Sequence, residues 1–568
     1  MADKAEIAAL SPDLFKQNGD ASALHDQAFE TKPISFFRDS MRRFAKNKGS
    51  VVAAVIILII ILYAIIVPIA SPKNYVDPVT YPNGFYDNNF AYALPYCSWF
   101  KGTGFWDGTK VVSMGENAYN IAKLNDSNHE YVVRLEGVTE RRIGANITRS
   151  YSVRVDTYGV RCKTVNVSST EYASLVQYEN EQGIAGVEGK SIMKPLVDYH
   201  DYLGDTTDSE NYHAEGSYWY EMKWDLVNNY GYTETSAENT ANDRISRMAS
   251  YYNQNQNVYY KLTAKSASGT YSDTTFYPVY ESDGETPVDI YMKDDSGNYV
   301  YSSYSNGEYS IRVDYFDYFT FHNGFEPYYI FGANASGQDI FLRLAKGARF
   351  SLLLGVGVSL INFIIGLIWG AISGYYGGVT DLIMERVTDI ISAIPSLVIL
   401  TVCSIQFTNN AGLRSAIGNG GVIVLAFLVA FVYSGWIGTA STTRMQFYRF
   451  KGQEYVLASR TLGARDSRLI FRHILPNAAG TLVTSSVLMI PSVIFSESSL
   501  TYLGIVDFST SGICSIGALL NEGQTAGLNL YPHVLLFPCI VISLLMISFN
   551  LFGNGLRDAF NTQLKGTD

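Results

Sequence analysis

The sequence predicts an all-α polytopic membrane bundle of six helices, interrupted after its first helix by an inserted extracytoplasmic domain of mixed, β-rich character. Three observations carry that prediction. There are six charge-poor apolar runs, a long acidic tyrosine-rich stretch separates the first run from the rest, and basic clusters sit on one side of the runs.

The first run, Val51 to Ala70, holds no charged residue. As a helix rising ~1.5 Å per residue it reaches ~30 Å, the thickness of the hydrocarbon layer. Arg38, Arg42, Arg43, Lys46 and Lys48 crowd its N-terminal side, which keeps that end cytoplasmic. The run is too long and too deep in the chain for a cleaved leader, so it reads as an anchor. Later runs lie near Phe350–Ile372, Val387–Phe407, Gly421–Gly438, Gly480–Ile494 (extending towards Leu503) and His533–Phe552. Six crossings return both termini to the cytoplasm, put the insert outside and leave Ser441–Ala479 inside. That inner segment carries Arg444, Arg449, Lys451, Arg460, Arg465, Arg468 and Arg472, in agreement with the positive-inside bias. The expected division is a flexible cytoplasmic tail (1–32), an amphipathic elbow helix and first span (33–72), the insert (73–325), a five-span core (326–558) with its cytoplasmic loop (441–479), and a second cytoplasmic tail (559–568).

Between Lys73 and Phe325 there are 34 Asp and Glu against 20 Lys and Arg, so the insert carries −14 while the whole chain is −11. The remainder therefore sums to +3. The insert also holds 32 of the 42 tyrosines. About 250 residues without secondary structure would be implausible inside a folded protein, so the stretch reads as a domain. Alternation at Tyr151–Asp156, Val160–Val167, Val258–Thr263 and Tyr309–Asp314 predicts half-buried strands. Ser168-Ser-Thr-Glu171 has the form of a capping box, and Asn242–Tyr252 also reads as helical. The tyrosines suit such strands as structural residues rather than as a binding platform. Of the five cysteines, Cys97 and Cys162 fall in the insert, where a disulfide between them is chemically open; spacing alone leaves the pairing undecided.

The inner loop is the informative segment. Glu454 to Asn477 reads as two short helices broken at Gly463, with Pro476 where the second meets the next span. Small Ala458 and Ser459 permit close approach of another surface. Such a basic elbow, tied directly to a span, passes movement between a soluble partner and the membrane; the residues alone leave open a plain positive-inside loop. Asp389 and Glu497 fall at the edges of spans, where ionisable groups are costly and often functional, and helix-end or pairing roles are favoured over contact with cargo. Gly186-Val-Glu-Gly-Lys190-Ser191 misses the phosphate-loop spacing, because Ile184 stands where the first glycine belongs. ATP is therefore expected on another chain. The seven histidines show no metal-ligand spacing, and His129, His200 and His213 read as solvated surface. No nucleophile–base constellation is evident, and no metal, resident cofactor or nucleic acid is expected.

The elbow resembles the cytoplasmic loop of the permease subunits of binding-protein-dependent ABC importers. Ala458 and Ser459 match the small pair, Gly463 the glycine and Leu475-Pro476 the ending, while Leu457 and His473 depart from the usual acid and aliphatic residue. Ser336–Leu352, Gly374-Tyr-Tyr-Gly-Gly378 with Asp381 and Asp389, Ala393-Ile-Pro-Ser396, Glu497–Gly504 and Phe549–Asp558 are similar to the oligopeptide/dipeptide branch, which also contains nickel importers. The resemblance covers roughly residues 34–75 and 330–566, and leaves out the unusually large insert. It implies the type I permease fold and a docking role for Ala458, Ser459, Arg460, Thr461, Leu462, Gly463 and Ala464. It also implies a second homologous permease, two ATP-binding subunits using ATP and Mg, and an extracellular solute-binding lipoprotein. Peptide is the implied cargo, with nickel or another small solute as the alternative. A membrane receptor with an extracellular ligand domain is the rival from another class, but it leaves five spans and the elbow idle.

Overall fold

A computed structural model describes residues 36–72, 87–123, 127–143, 146–197, 213, 215, 218–243, 259–260, 276–277, 289, 291–506, 508 and 512–560. Helix α1 (Phe36–Lys46) is the amphipathic helix before the first span, and Asn47 caps α2 (Lys48–Ala70) through its side chain. Five helices are long and apolar enough to cross a membrane, or six if one bent pair forms a single span.

The insert begins with β1 (Thr109–Gly115), α3 (Glu116–Lys123), β2 (Val132–Ile143) and β3 (Asn146–Asp156). These strands form an antiparallel sheet with β3 in the middle, pairing Val112 with Val153 on one side and Val153 with Leu135 on the other. Next come β4 (Lys163–Ser168), α4 (Ser169–Gln182), β5 (Met193–Lys194) and α5 (Tyr218–Asn228), then β6 (Tyr259–Tyr260), β7 (Phe276–Tyr277), β8 (Ser302–Ser305), β9 (Glu308–Val313) and α6 (Tyr315–Asn323). In the second sheet β9 is central: β4 pairs one edge, and β8 and β5 share the other. Strands expected at 151–156, 160–167 and 309–314 are present, displaced by a few residues. Of the strand expected at 258–263 only Tyr259 and Tyr260 lie inside the described residues. Residues 234–243 are helical, and 244–252 of the predicted helix fall outside them.

Ser168 caps α4 by accepting from the Glu171 amide, but Glu171 does not complete the box. Its carboxylate instead accepts from Tyr318 Oη at 2.8 Å and meets His322 Nδ1 at 2.8 Å, joining α4 to α6. Among the described tyrosines, Tyr172 stacks on Tyr309 at 4.0 Å and Tyr96 on Tyr328 at 3.9 Å. An aromatic cluster of Phe90, Tyr158, Phe316, Phe319 and Tyr329 runs through residue 325, so the insert is packed onto the core without a hinge there. Cys97 and Cys162 are not joined; among the described residues, which include all five cysteines, there is no disulfide. Cys162 is buried at the edge of the second sheet, whereas Cys97 is half-buried before the 98–100 turn.

The core comprises α7 (Ile340–Tyr376), α8 (Gly378–Ser392), α9 (Ser396–Asn409), α10 (Ala411–Gly435), α11 (Ile437–Lys451), α12 (Glu454–Thr461), α13 (Leu475–Tyr502), α14 (Ile516–Ala526) and α15 (Pro532–Phe560). Two expectations need correction. The span predicted at Val387–Phe407 is not one helix: α8 and α9 meet at a 63° bend, because Pro395 lacks an amide and disfavours helix in the residue before it. The inner segment predicted from Ser441 is not loop at its start, since α11 carries helix to Lys451 before the chain turns.

Candidate functional site

The site is built on the C-terminal ends of α7 and α11, which run side by side in the same direction. Gly366, Gly370 and Gly374 recur every fourth residue and so lie along one face of α7. A Cβ on Gly370 would stand 2.2 Å from the Ala440 carbonyl oxygen, and one on Gly374 would stand 2.7 Å from that of Arg444. Only glycine allows these backbones to come so close, as in other membrane helix pairs.

That approach brings Asp381, on the first turn of α8, against α11. Arg444 donates to it bidentately, Nε to Oδ1 and Nη2 to Oδ2, both at 2.6 Å. Tyr448 Oη donates at 2.6 Å, and Ser373 Oγ adds a further bond. Glu385 lies 3.3 Å from Arg444 Nη1. Paired planar bonds between guanidinium and carboxylate are both strong and directional. Lys451 Nζ donates to the Gly374 carbonyl at 2.9 Å and lies 4.0 Å from the centre of the Tyr448 ring, closing the C-terminal end of α7.

The elbow hangs from this lock by Tyr375. Its hydroxyl donates to Asp466 Oδ1 at 2.6 Å on the second arm and accepts from Arg460 Nη2 at 3.3 Å on the first. Between the arms Gly463 adopts φ +82°, with nothing within 4 Å of where a side chain would begin. A left-handed residue turns the chain here, which glycine does at no steric cost. Val456, Leu469 and Ile474 pack inward against Phe447 and Tyr375, while Leu457, Leu462 (89% exposed) and Phe471 point away. Ala458, Thr461 and Gly463 are exposed; Ser459 and Ala464 are half-buried. The second arm does not stop before the span. Asp466–Arg468 passes through a π-helical stretch, Leu469–Ile474, straight into α13, with Leu475 and Pro476 in its first turn. Pro476 has no amide to give the preceding turn, and the widened π-helical stretch lies where that bond is missing.

The two span-edge acids differ. Asp389 is exposed and paired with Arg386 three residues earlier at 2.9 Å. Glu497 is fully buried among hydroxyls: Ser351 at 3.0 Å, Ser498 at 3.2 Å and Thr501 at 3.3 Å, with Ser515 as a further partner. Sequence reasoning missed Arg444, Tyr448 and Asp466 as partners and read Arg444 only as a topology charge. An aspartate seven residues after Gly374 and an arginine opening the inner basic cluster were the available signals.

In the insert, His129 is not solvated surface as expected. Its Nε2 lies 3.1 Å from Asp317 Oδ1 and its ring 3.9 Å from that of Phe316. Burial pulls the imidazole down, but the bond to Asp317 with the charges of Asp317, Asp314 and Asp156 outweighs it and raises the pKa. Burial likewise pushes Asp317 up, yet bonds from His129 and Asn128 leave it lowered. His129, Asp314 and Asp317 present ligand-type atoms within 4.8 Å of one another. Their oxygens are already engaged: Asp314 Oδ2 accepts from Ser127 Oγ and the Asn128 amide, and its Oδ1 caps α6. His213 is exposed beside Trp219, and His200 lies outside the described residues.

A bundle of spans with a basic elbow rigidly tied to one of them defines a membrane transport component. Residues 366–566 match the family described as binding-protein-dependent transport system inner membrane component, and residues 35–93 match the N-terminal TM domain of oligopeptide transport permease C. The chain is 40% identical to the oligopeptide transport system permease protein OppC of Bacillus subtilis, over 41% of this chain and 72% of that relative. It is 36% identical to the dipeptide transport system permease protein DppC of the same organism, over 41% and 69%. The Haemophilus influenzae OppC is 35% identical over 42% and 71%. A chain of an inward-facing MetNI methionine ABC transporter overlaps 38% of this chain and 96% of its own at 17% identity, with a TM-score of 0.29, too weak a superposition to add to the assignment. The chain belongs to the family of binding-protein-dependent ABC importer permeases, in the branch of the oligopeptide and dipeptide permeases. It is accordingly a transporter subunit of the membrane rather than an enzyme.

Proposed function

We propose that this chain forms one half of a peptide-translocating path across the cytoplasmic membrane of a bacterium, and that its elbow receives the stroke of an ATP-hydrolysing partner. The observation that carries the reading is the elbow itself. An exposed apolar face (Leu457, Leu462, Phe471) lies on a turn whose two arms are fastened to α7 through one tyrosine. A surface seated on Ala458 to Ala464 then moves α7 and α13 together. Two ATP-binding subunits supply ATP and Mg chemistry, a second homologous permease closes the path, and an extracellular solute-binding lipoprotein delivers the peptide. Both termini are cytoplasmic, and the insert stands outside as a docking or guiding surface for the binding protein. Asp389 and Glu497 act in pairing and helix packing rather than on cargo.

Gly463→Pro tests the coupling role. Proline holds φ near −65° and cannot adopt the +82° found here. In reconstituted vesicles containing all subunits, peptide uptake is expected to fall at least tenfold while ATP hydrolysis and membrane insertion persist. Unchanged uptake would reject the role.

A further inference from the structure

One segment of the insert is built unlike the rest. In the loop Ser98–Phe105, Trp99 is 91% exposed, Phe105 63% and Phe100 40%, three large aromatic side chains within seven residues. Single exposed apolar residues need no explanation, but a cluster on one projection does.

Five of the eight amides of Ser98–Phe105 are bonded within the loop or its base. The amides of Phe100, Lys101 and Thr103 donate to the carbonyls of Cys97, Ser98 and Phe100, and that of Cys97 donates to Trp106. The Gly104 amide donates to Asp107 Oδ2 at 2.7 Å and the Phe105 amide to Thr103 Oγ1 at 3.2 Å. Its outer surface is thus aromatic with few amides left for water, the condition that backbone must meet in an apolar medium.

Its position is fixed by Trp106. The Trp106 indole donates to the Ile330 carbonyl and packs against Phe331 at 6.2 Å and Phe537 at 5.3 Å; Phe105 leans on Trp106 at 5.7 Å and Phe100 on Phe105 at 5.9 Å. Trp106 itself sits at φ +55°, which a bulky residue holds only when its surroundings fix it. Phe537 is in the second turn of α15, and Arg557 marks the cytoplasmic end of that helix. The interval between them, twenty residues at ~1.5 Å each, is ~30 Å, one hydrocarbon thickness. Phe537 therefore stands at the outer boundary of the hydrocarbon, and the aromatic loop stands beside it. From that level onward the exposed face of α15 is apolar, with Leu536, Ile540, Leu544, Ile547 and Leu551. Exposed Lys101 at the loop tip suits anionic headgroups.

We propose that Ser98–Phe105 is a membrane-inserting finger, whose Trp99, Phe100 and Phe105 enter the headgroup–acyl boundary of the outer leaflet and fix the height of the insert above the path. Tryptophan prefers that boundary, where its ring is buried and its polar edge stays wet.

The test places photoreactive p-benzoylphenylalanine at position 99, and separately at 105, in the full chain assembled with its partner subunits in the cell membrane. A chain carrying it at 536 reports insertion. Lipid adducts at 99 and 105, found by mass spectrometry after irradiation, are the expected result. Crosslinks to a solute-binding protein or second permease, or an absence of adducts while 536 reacts, overturn the proposal. Should the photoreactive chains fail to insert, wild type and Trp99→Phe are compared in vesicles of dibrominated phosphatidylglycerol. The finger predicts that wild type loses the larger fraction of its tryptophan emission; equal quenching overturns it.

Discussion

At the elbow end of the bundle, Asp381 gathers Arg444, Tyr448 and Ser373, and Tyr375 bridges Arg460 and Asp466. At the opposite end the insert is joined to the core by rings: Tyr92 stacks on Tyr531 at 3.8 Å, Trp106 meets Phe537, and Tyr158 lies against Tyr328 and Tyr329. Ring contacts remove area from water and tolerate small sliding, whereas bidentate ion pairs fix direction. The comparison teaches that the two ends face different mechanical demands. Under the proposed function the elbow has to deliver a push along one line, while the cap has only to hold a large domain in place.

The largest expected effect comes from breaking the inner lock. Asp381→Asn removes the charge and one of the two oxygens that face the Arg444 guanidinium, and is expected to cost about 2–3 kcal/mol. A lower thermal midpoint of the purified assembly in detergent reads it directly; an unchanged midpoint would mean that Glu385 compensates and the lock is not directional. At the outer end, Tyr158→Phe removes a buried hydroxyl that donates to the Leu94 carbonyl at 2.7 Å and accepts from the Tyr329 amide at 3.1 Å. A loss of about 1–2 kcal/mol is expected. Faster amide exchange over residues 326–332, with uptake nearly unaffected, would separate the cap from the drive, whereas lost coupling would erase the distinction.

The smallest effect is pH-dependent and confined to the insert. His129 is raised in the folded state, so its contribution is fully present below the ordinary histidine value, about 6.5, and fades as pH rises through the folded pKa. Asp317 is lowered, so its contribution is present above the ordinary carboxylate value and is lost as pH falls through the folded one. Protection of α6 from amide exchange should therefore decline from pH 6 to pH 8, and His129→Gln should flatten the slope. A wild-type profile already flat over that interval would remove the pair from the account.

Much of the architecture was legible because membrane spans declare themselves by length and missing charge. Alternation likewise announced β3, β4 and β9. Strand β2 escaped because Arg134, Glu136, Glu140, Arg141 and Arg142 leave it largely exposed and without a clean apolar face. The bend between α8 and α9 was missed because apolar character continues through Ala393-Ile394-Pro395, while the proline alone dictates the bend. In the site, Gly463 and Pro476 act locally and could be read from spacing. Asp381 and Arg444 meet across 63 residues of sequence, through a glycine stripe whose meaning appears only once α11 lies against it.

The account stands on the elbow and α7 moving as one body. Spin labels at Ser467 on the elbow and Leu360 on α7, in the assembled transporter, measure this by pulsed dipolar spectroscopy with and without ATP. The same distance distribution in both states, while the separation of the two permeases changes, is the predicted result; a distribution that shifts with nucleotide would contradict it.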